Sequence, residues 1–336
     1  RAAGGVREMS AMLKPLAAGP EPPRPKRRRL KNVPVLPTLL TLGNLLCGFS
    51  AIYFCMRTVY GVGAGIDPVD AVTLRNQHID RMLPTFLAMG AWCVFLGMVF
   101  DAFDGFVARI SHKASRFGIE LDSLADVVTF GVAPAILVIA VLTQAKHDWQ
   151  LAPLTEDRLG RGRWMLLAVY VACAAIRLAR FNVETSMEEA AHRGFKGLPS
   201  PAAAGVIASL VILHEHLVFS RTLFGVPIGP RLADGIVTTM PFVALVAALL
   251  MVSRFDYRHV INVYLLGRRP MGYVMAALAL LIVLVLQAQL TIAVGMCLYA
   301  MSGPIRRLVH LRRKPEPTQH PGTDVRRDDA KIGKTG

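Results

Sequence analysis

Eight apolar stretches separated by polar or basic segments dominate the chain, near 36–56, 83–107, 123–145, 163–180, 200–219, 235–253, 271–288 and 290–309. Several approach the ~20 residues that a helix needs to cross hydrocarbon; shorter ones are long enough if tilted or shielded by neighbours. The pattern predicts an all-α integral membrane protein, a polytopic bundle of about eight transmembrane helices. The last two stretches are nearly contiguous and predict a tight hairpin through Gln287 and Gln289. Residues 36–310 read as one transmembrane domain. Residues 1–35, rich in Pro and basic side chains, read as a disordered cytoplasmic arm, and 311–336 as a polar cytoplasmic tail. A basic run before an apolar stretch also outlines a signal peptide. Stretch 36–56 is long, however, and no small-residue cleavage site follows, so it reads as a retained helix.

Composition agrees with a membrane protein whose loops are basic. Hydrophobic residues make up 53% of the 336, charged residues 18%, and mean hydropathy is +0.44. A net charge of +15 first suggests nucleic acid, but its distribution argues otherwise. With the N-terminus inside, 29 of the 38 Lys and Arg fall on inner segments. That asymmetry is the positive-inside pattern, and it puts both termini on the cytoplasmic side of the cell's inner membrane. The runs Lys26–Arg29 and Arg306–Arg313 flank spans, so anionic lipids are their expected partners and nucleic acid is not. Cys47, Cys55, Cys93, Cys173 and Cys297 all lie in or beside apolar stretches without a CxxC pair, and read as small buried hydrophobes.

Candidate chemistry concentrates between Asp101 and Asp126. Four carboxylates, Asp101, Asp104, Asp122 and Asp126, sit where two apolar stretches meet. Carboxylates bordering hydrocarbon are costly and point to function. Asp101 and Asp104 (i, i+3) share one helix face, with Gly105 and Ala108 on the same side and Arg109 close to it. Asp122 and Asp126 (i, i+4) share a face of the next helix. Small residues there permit close approach, Gly118 offers a turn or close approach, and Arg109 suits phosphate. Four facing carboxylates suit a pair of hard divalent cations. The bland reading is interfacial charges paired with Arg109, Lys113 and Arg116.

The pattern D-x2-D-G-x2-A-R-x8-G-x3-D-x3-D resembles the signature of CDP-alcohol phosphatidyltransferases at every defined position. The resemblance implies two divalent cations, Mg²⁺ or Mn²⁺, on the pyrophosphate of a CDP-linked lipid. It implies Asp101, Asp104 and Asp122 as ligands, and Asp126 as general base and further ligand. Gly105, Ala108 and Gly118 would line the nucleotide site.

Three further segments resemble membrane-embedded phosphatidylserine synthases: Leu36–Phe49, Arg177–Asn182 and Phe195–Gly205. That resemblance implies CDP-diacylglycerol and L-serine as substrates, and a homodimer. Arg177 and Arg180 end the fourth stretch on the side of the aspartates, where they could hold lipid phosphate or the serine carboxylate, or anchor the helix end. Asn182 and Lys196 are similar candidates. Thr41 and Asn44 are polar positions inside the first stretch, and Asn44 either contacts the nucleotide or bridges helices. Pro134 removes a backbone donor inside the third stretch, predicting a kink.

The triplet His214-Glu215-His216 looks like a metal cluster, but its histidines (i, i+2) point to different sides. By rise per residue it falls ~22 Å from Pro199, at the opposite membrane face. Two other readings stay open: a different acceptor, such as glycerol 3-phosphate, inositol phosphate or choline, and a cation transporter with an aspartate-lined path. Clustering of the carboxylates near one face favours catalysis.

Overall fold

The computed structural model describes residues 35–63, 85–111, 116–146, 158–186, 197–220, 226–255, 257 and 287–312. The helices are α1 (Val35–Gly63), α2 (Phe86–Ser111), α3 (Arg116–Asp126), α4 (Ala133–Lys146), α5 (Arg158–Ser186), α6 (Ser200–Ser220), α7 (Gly229–Val252) and α8 (Ala288–Arg312). A π-helical segment, Val127–Val132, joins α3 to α4, so the three run as one rod.

Seven spans among the described residues are long and apolar enough to cross a membrane, with the α3–α4 rod counting as one. They correspond to seven of the eight predicted stretches; the eighth, 271–288, lies almost wholly outside the described residues, as does the far side of the Gln287–Gln289 hairpin. The protein is therefore a multi-pass membrane protein. The arm and tail also lie outside the described residues, except for Val35 and the last turn of α8.

The distribution of side chains fits hydrocarbon outside and small residues within. Leu46, Phe49, Phe242, Leu249 and Leu298 are exposed on outward faces. The centre is α6, whose Ser200–Ser209 stretch, S-P-A-A-A-G-V-I-A-S, is almost wholly buried. Small side chains let neighbouring backbones come close, which is how helices associate without a hydrophobic driving force. Around α6 stand α2, α4, α7 and α8, while α1 packs on α2 and on the α3–α4 rod, and α5 on α7 and the π segment.

At Pro134, where the sequence predicts a kink, the helix carries a π segment just before the proline. The Ala133 N–H bonds to the Val128 carbonyl, five residues back. Pro134 has no N–H for the Phe130 carbonyl, its partner in α-helical register. The Tyr170 hydroxyl of α5 donates to that carbonyl at 2.9 Å, from a fully buried position. The irregular turn is thus satisfied from a neighbouring helix, as hydrocarbon requires.

The corner between α5 and α6 is tied down at the same membrane end. Gly197 adopts φ +86°, and a Cβ there would run into the Met251 carbonyl. Its N–H bonds to the Phe255 carbonyl at 2.8 Å, and the Leu198 N–H bonds to the Leu250 carbonyl at 2.9 Å. Tyr257 donates to the Ala300 carbonyl at 2.8 Å, closing α8 onto the same corner.

Candidate active site

The end of α2 and the last turn of α3 bring the predicted carboxylates together. One oxygen each of Asp101, Asp122 and Asp126 lies within 4.8 Å of the others. Asp104 stands one turn from Asp101 and is close enough to interact with its charge and that of Asp122. Asp104 and Asp126 are buried, Asp101 and Asp122 half-buried. Three carboxylates this close repel strongly unless protons or cations separate them. One Asp122 oxygen, Oδ1, is buried without a hydrogen-bond partner. An all-oxygen donor set with an orphaned carboxylate oxygen fits a hard divalent cation.

The first helix supplies the shell around these acids. Thr41 Oγ1 donates to Asp104 Oδ2 at 2.5 Å. Asn44 Nδ2 donates to Asp126 Oδ1 at 2.9 Å. Thr41 and Asn44 are three residues apart on α1, so one helix face reaches one carboxylate from each aspartate pair. Asn44 is fully buried, and its backbone carbonyl accepts a bond from Thr129 Oγ1 at 2.9 Å. Asn44 thus links α1 to α3 and to the π segment.

Close backbone approach makes these bonds possible. A Cβ on Gly48 would sit 2.8 Å from the Thr129 Cα, and one on Gly97 would meet Thr129 Cγ2 at 2.6 Å and Asn44 Oδ1 at 3.0 Å. The seam Gly48–Thr129–Gly97 was not visible in the sequence. Its signal is the small-residue spacing of α1 and α2 opposite a β-branched residue just past Asp126.

The other expected site residues distribute as follows. Gly105 is exposed on α2. Gly118 lies within the first turn of α3, not in a turn between helices, because helix resumes at Arg116. The side chains of Ala108, Arg109 and Arg116, together with Lys113 and Lys196, lie outside the described residues. Arg177 of α5 donates from Nε to the Leu198 carbonyl at 2.6 Å and from Nη1 to Ser200 Oγ at 3.2 Å. It is also near enough to act on the charge of Asp126. Arg177 therefore joins the α5–α6 corner to the acid cluster. Arg180 is half-buried on the same helix. Asn182 donates to Ser123 Oγ at 2.8 Å, beside Asp122.

The His214-Glu215-His216 triplet stands at the other end of the bundle. Glu215 is 1% exposed and accepts from Thr85 at 2.6 Å and from Gln144 at 3.0 Å, with His214 Nδ1 2.9 Å away. Thr85 precedes α2 and is 16 residues from Asp101, ~24 Å along a helix. His216 is half-buried on the same helix. The triplet's glutamate locks three helices together, far from the acid cluster.

Comparison with known proteins agrees with this geometry. Residues 34–231 match the CDP-alcohol phosphatidyltransferase family, a stretch that holds all four aspartates, Thr41, Asn44 and Arg177. The chain is similar to a CDP-diacylglycerol–serine O-phosphatidyltransferase of Saccharomyces cerevisiae, 34% identical over 193 residues, 56% of this chain and 57% of the relative. A protein of the same name from Helicobacter pylori is 37% identical over 131 residues, covering 39% of this chain and 49% of the relative. Another from Methanocaldococcus jannaschii is 34% identical over 152 residues, covering 45% and 64%. The first two matches span only about half the length of those relatives. With more than half of its length matched by the family and the family's aspartates gathered at one end of its bundle, the chain belongs to the CDP-alcohol phosphatidyltransferases.

Proposed function

We propose that the protein transfers the phosphatidyl group of CDP-diacylglycerol to the hydroxyl of L-serine, giving phosphatidylserine and CMP. The observation that carries the reading is the convergence of Asp101, Asp122 and Asp126 within 4.8 Å in a chain of this family. Serine as acceptor rests on the relatives' names and on the resembling segments of α1, α5 and the start of α6.

Asp101, Asp104, Asp122 and Asp126 would hold two divalent cations, Mg²⁺ or Mn²⁺. Those cations, when bound, supply charge neutralisation for the pyrophosphate and the departing CMP. Asp126 takes the proton of the serine hydroxyl. The serine oxygen bonds to the phosphorus that carries diacylglycerol, and the bond from that phosphorus to the CMP oxygen breaks. Gly105, Ala108, Arg109, Gly118, Thr41 and Asn44 are the groups for the nucleotide end of CDP-diacylglycerol, and the acyl tails lie between helices. Arg177, Arg180, Asn182 and Lys196 are the groups for the serine carboxylate or the lipid phosphate.

The site opens to the cytoplasm from the inner membrane, where CDP-lipids and serine meet. Both termini lie on that side, and the basic runs touch anionic lipid. Residues 36–310 form the catalytic domain between a cytoplasmic arm and tail. The family resemblance supports a homodimer. A panel of labelled acceptors offered with CDP-diacylglycerol tests the reading. Serine should be used at least tenfold better than glycerol 3-phosphate, inositol phosphate or choline. Preference for one of those alcohols would reassign the substrate, and no CMP release with any acceptor would remove transferase activity.

A further inference from the structure

Asn44 does more in this fold than bridge helices. It is fully buried on α1, yet its side-chain amide faces the carboxylate of Asp126 at 2.9 Å. The orientation is fixed by chemistry, because a flipped amide would aim an oxygen at a carboxylate oxygen. Its own Oδ1 has no hydrogen-bond partner and lies where only a glycine fits, 3.0 Å from the position of a Gly97 Cβ. Its backbone carbonyl holds Thr129, three residues past Asp126 in the π segment. Single π turns within α-helices are frequent at functional sites. One residue thus grips the acid by its side chain and the turn behind it by its backbone.

We propose that Asn44 is the positioning residue of Asp126: its amide occupies Oδ1 and leaves the other oxygen to accept the proton of the attacking hydroxyl. The inference rests on the transferase reading above and assigns Asn44 a role other than nucleotide contact. A donor to a charged acceptor contributes about ten- to a hundredfold when lost.

The two grips are separable by mutation. Asn44→Ala deletes the amide but keeps the carbonyl, so the Thr129 bond survives. Thr129→Val deletes that bond and keeps the amide. The measurements are kcat, KM for each substrate, the dissociation constant of Mn²⁺ by paramagnetic resonance on the full-length protein, and the unfolding midpoint. Asn44→Ala should lower kcat about ten- to a hundredfold, with both KM values and Mn²⁺ affinity within about threefold of wild type. Thr129→Val should lower the unfolding midpoint more than kcat. If Asn44→Ala does not fold, Asn44→Ser, with a shorter donor, takes its place and should show the smaller kcat loss.

Unchanged kcat in a folded Asn44 variant would overturn the assignment. So would a rise confined to the CDP-diacylglycerol KM, which would make Asn44 a nucleotide contact, or a parallel loss of kcat and midpoint in both variants. The transferase reading fails separately: an active Asp126→Asn protein would remove the base itself, whatever Asn44 does.

Discussion

Tyr170 donates its hydroxyl to the carbonyl of Phe130 at 2.9 Å, and that carbonyl is the acceptor which Pro134 cannot serve. The bond ties α5 to the irregular turn behind Asp126. Tyr170→Phe keeps the ring and removes only the donor, leaving a buried carbonyl short of a partner. The expected loss is about 1–3 kcal/mol in detergent unfolding, with measurable turnover retained. An unfolding curve identical to wild type would show that the π turn needs no help from α5.

Backbone proximity at Gly48 gives a harder test of the same region. A methyl at Gly48 would stand 2.8 Å from the Thr129 Cα, a backbone atom that cannot swing aside. Gly48→Ala should therefore cost about 1–3 kcal/mol by overpacking and lower kcat by displacing Thr129 and Asn44. Gly235→Ala, which meets nothing within 4 Å, is the control and should be neutral or stabilising. Equal behaviour of the two variants would contradict the close packing.

Much of this site could be read from the chain because its geometry is local. Asp101 and Asp104, and Asp122 and Asp126, share faces by helical spacing alone, and the hairpin between them brings the faces together. The shell could not be read that way. Thr41 and Asp104 are 63 residues apart, Asn44 and Asp126 82. Both are polar positions whose partners depend on how α1 docks. Pro134 announced an irregularity, but its form depended on Tyr170 arriving from another helix. Arg177 looked like a ligand-binding cation, and its spacing carried no sign of the Leu198 carbonyl that it serves. For Gly118 the sequence left a turn or a close approach open, because it does not mark where α3 begins. Helical spacing was enough to set the triplet around Glu215 aside as a metal cluster, but not to show its partners Thr85 and Gln144, 130 and 71 residues away.

Glu215 holds α2, α4 and α6 together at the end opposite the acids. Glu215→Ala leaves the donors of Thr85 and Gln144 buried without their acceptor beside a cavity, and should cost about 2–5 kcal/mol. Glu215→Gln keeps one acceptor oxygen and should cost less. Mn²⁺ affinity of whatever fraction remains folded should stay within about threefold of wild type. Loss of Mn²⁺ binding in a well-folded Glu215→Gln protein would mean that the distant lock sets the register of the aspartates.

Arg177 separates anchoring from substrate recognition. Arg177→Ala removes the donors of the Leu198 carbonyl and Ser200, so the unfolding midpoint should fall; the serine KM should rise about ten- to a hundredfold only if the same guanidinium also holds serine. A fall in midpoint with both KM values unchanged assigns Arg177 to the α5–α6 corner alone and leaves Arg180 and Lys196 for the carboxylate. No change in either quantity would contradict the bonds to Leu198 and Ser200.

The most direct test of the central claim is the stoichiometry of CMP and phosphatidylserine made by purified protein in vesicles containing CDP-diacylglycerol, with labelled L-serine. The account predicts one CMP for each phosphatidylserine, no product with chelator, recovery with Mg²⁺ or Mn²⁺, and no product from folded Asp126→Asn at any metal concentration. Transfer that persists in chelator, or near-normal turnover by Asp126→Asn, would contradict the aspartate cluster as the seat of the chemistry.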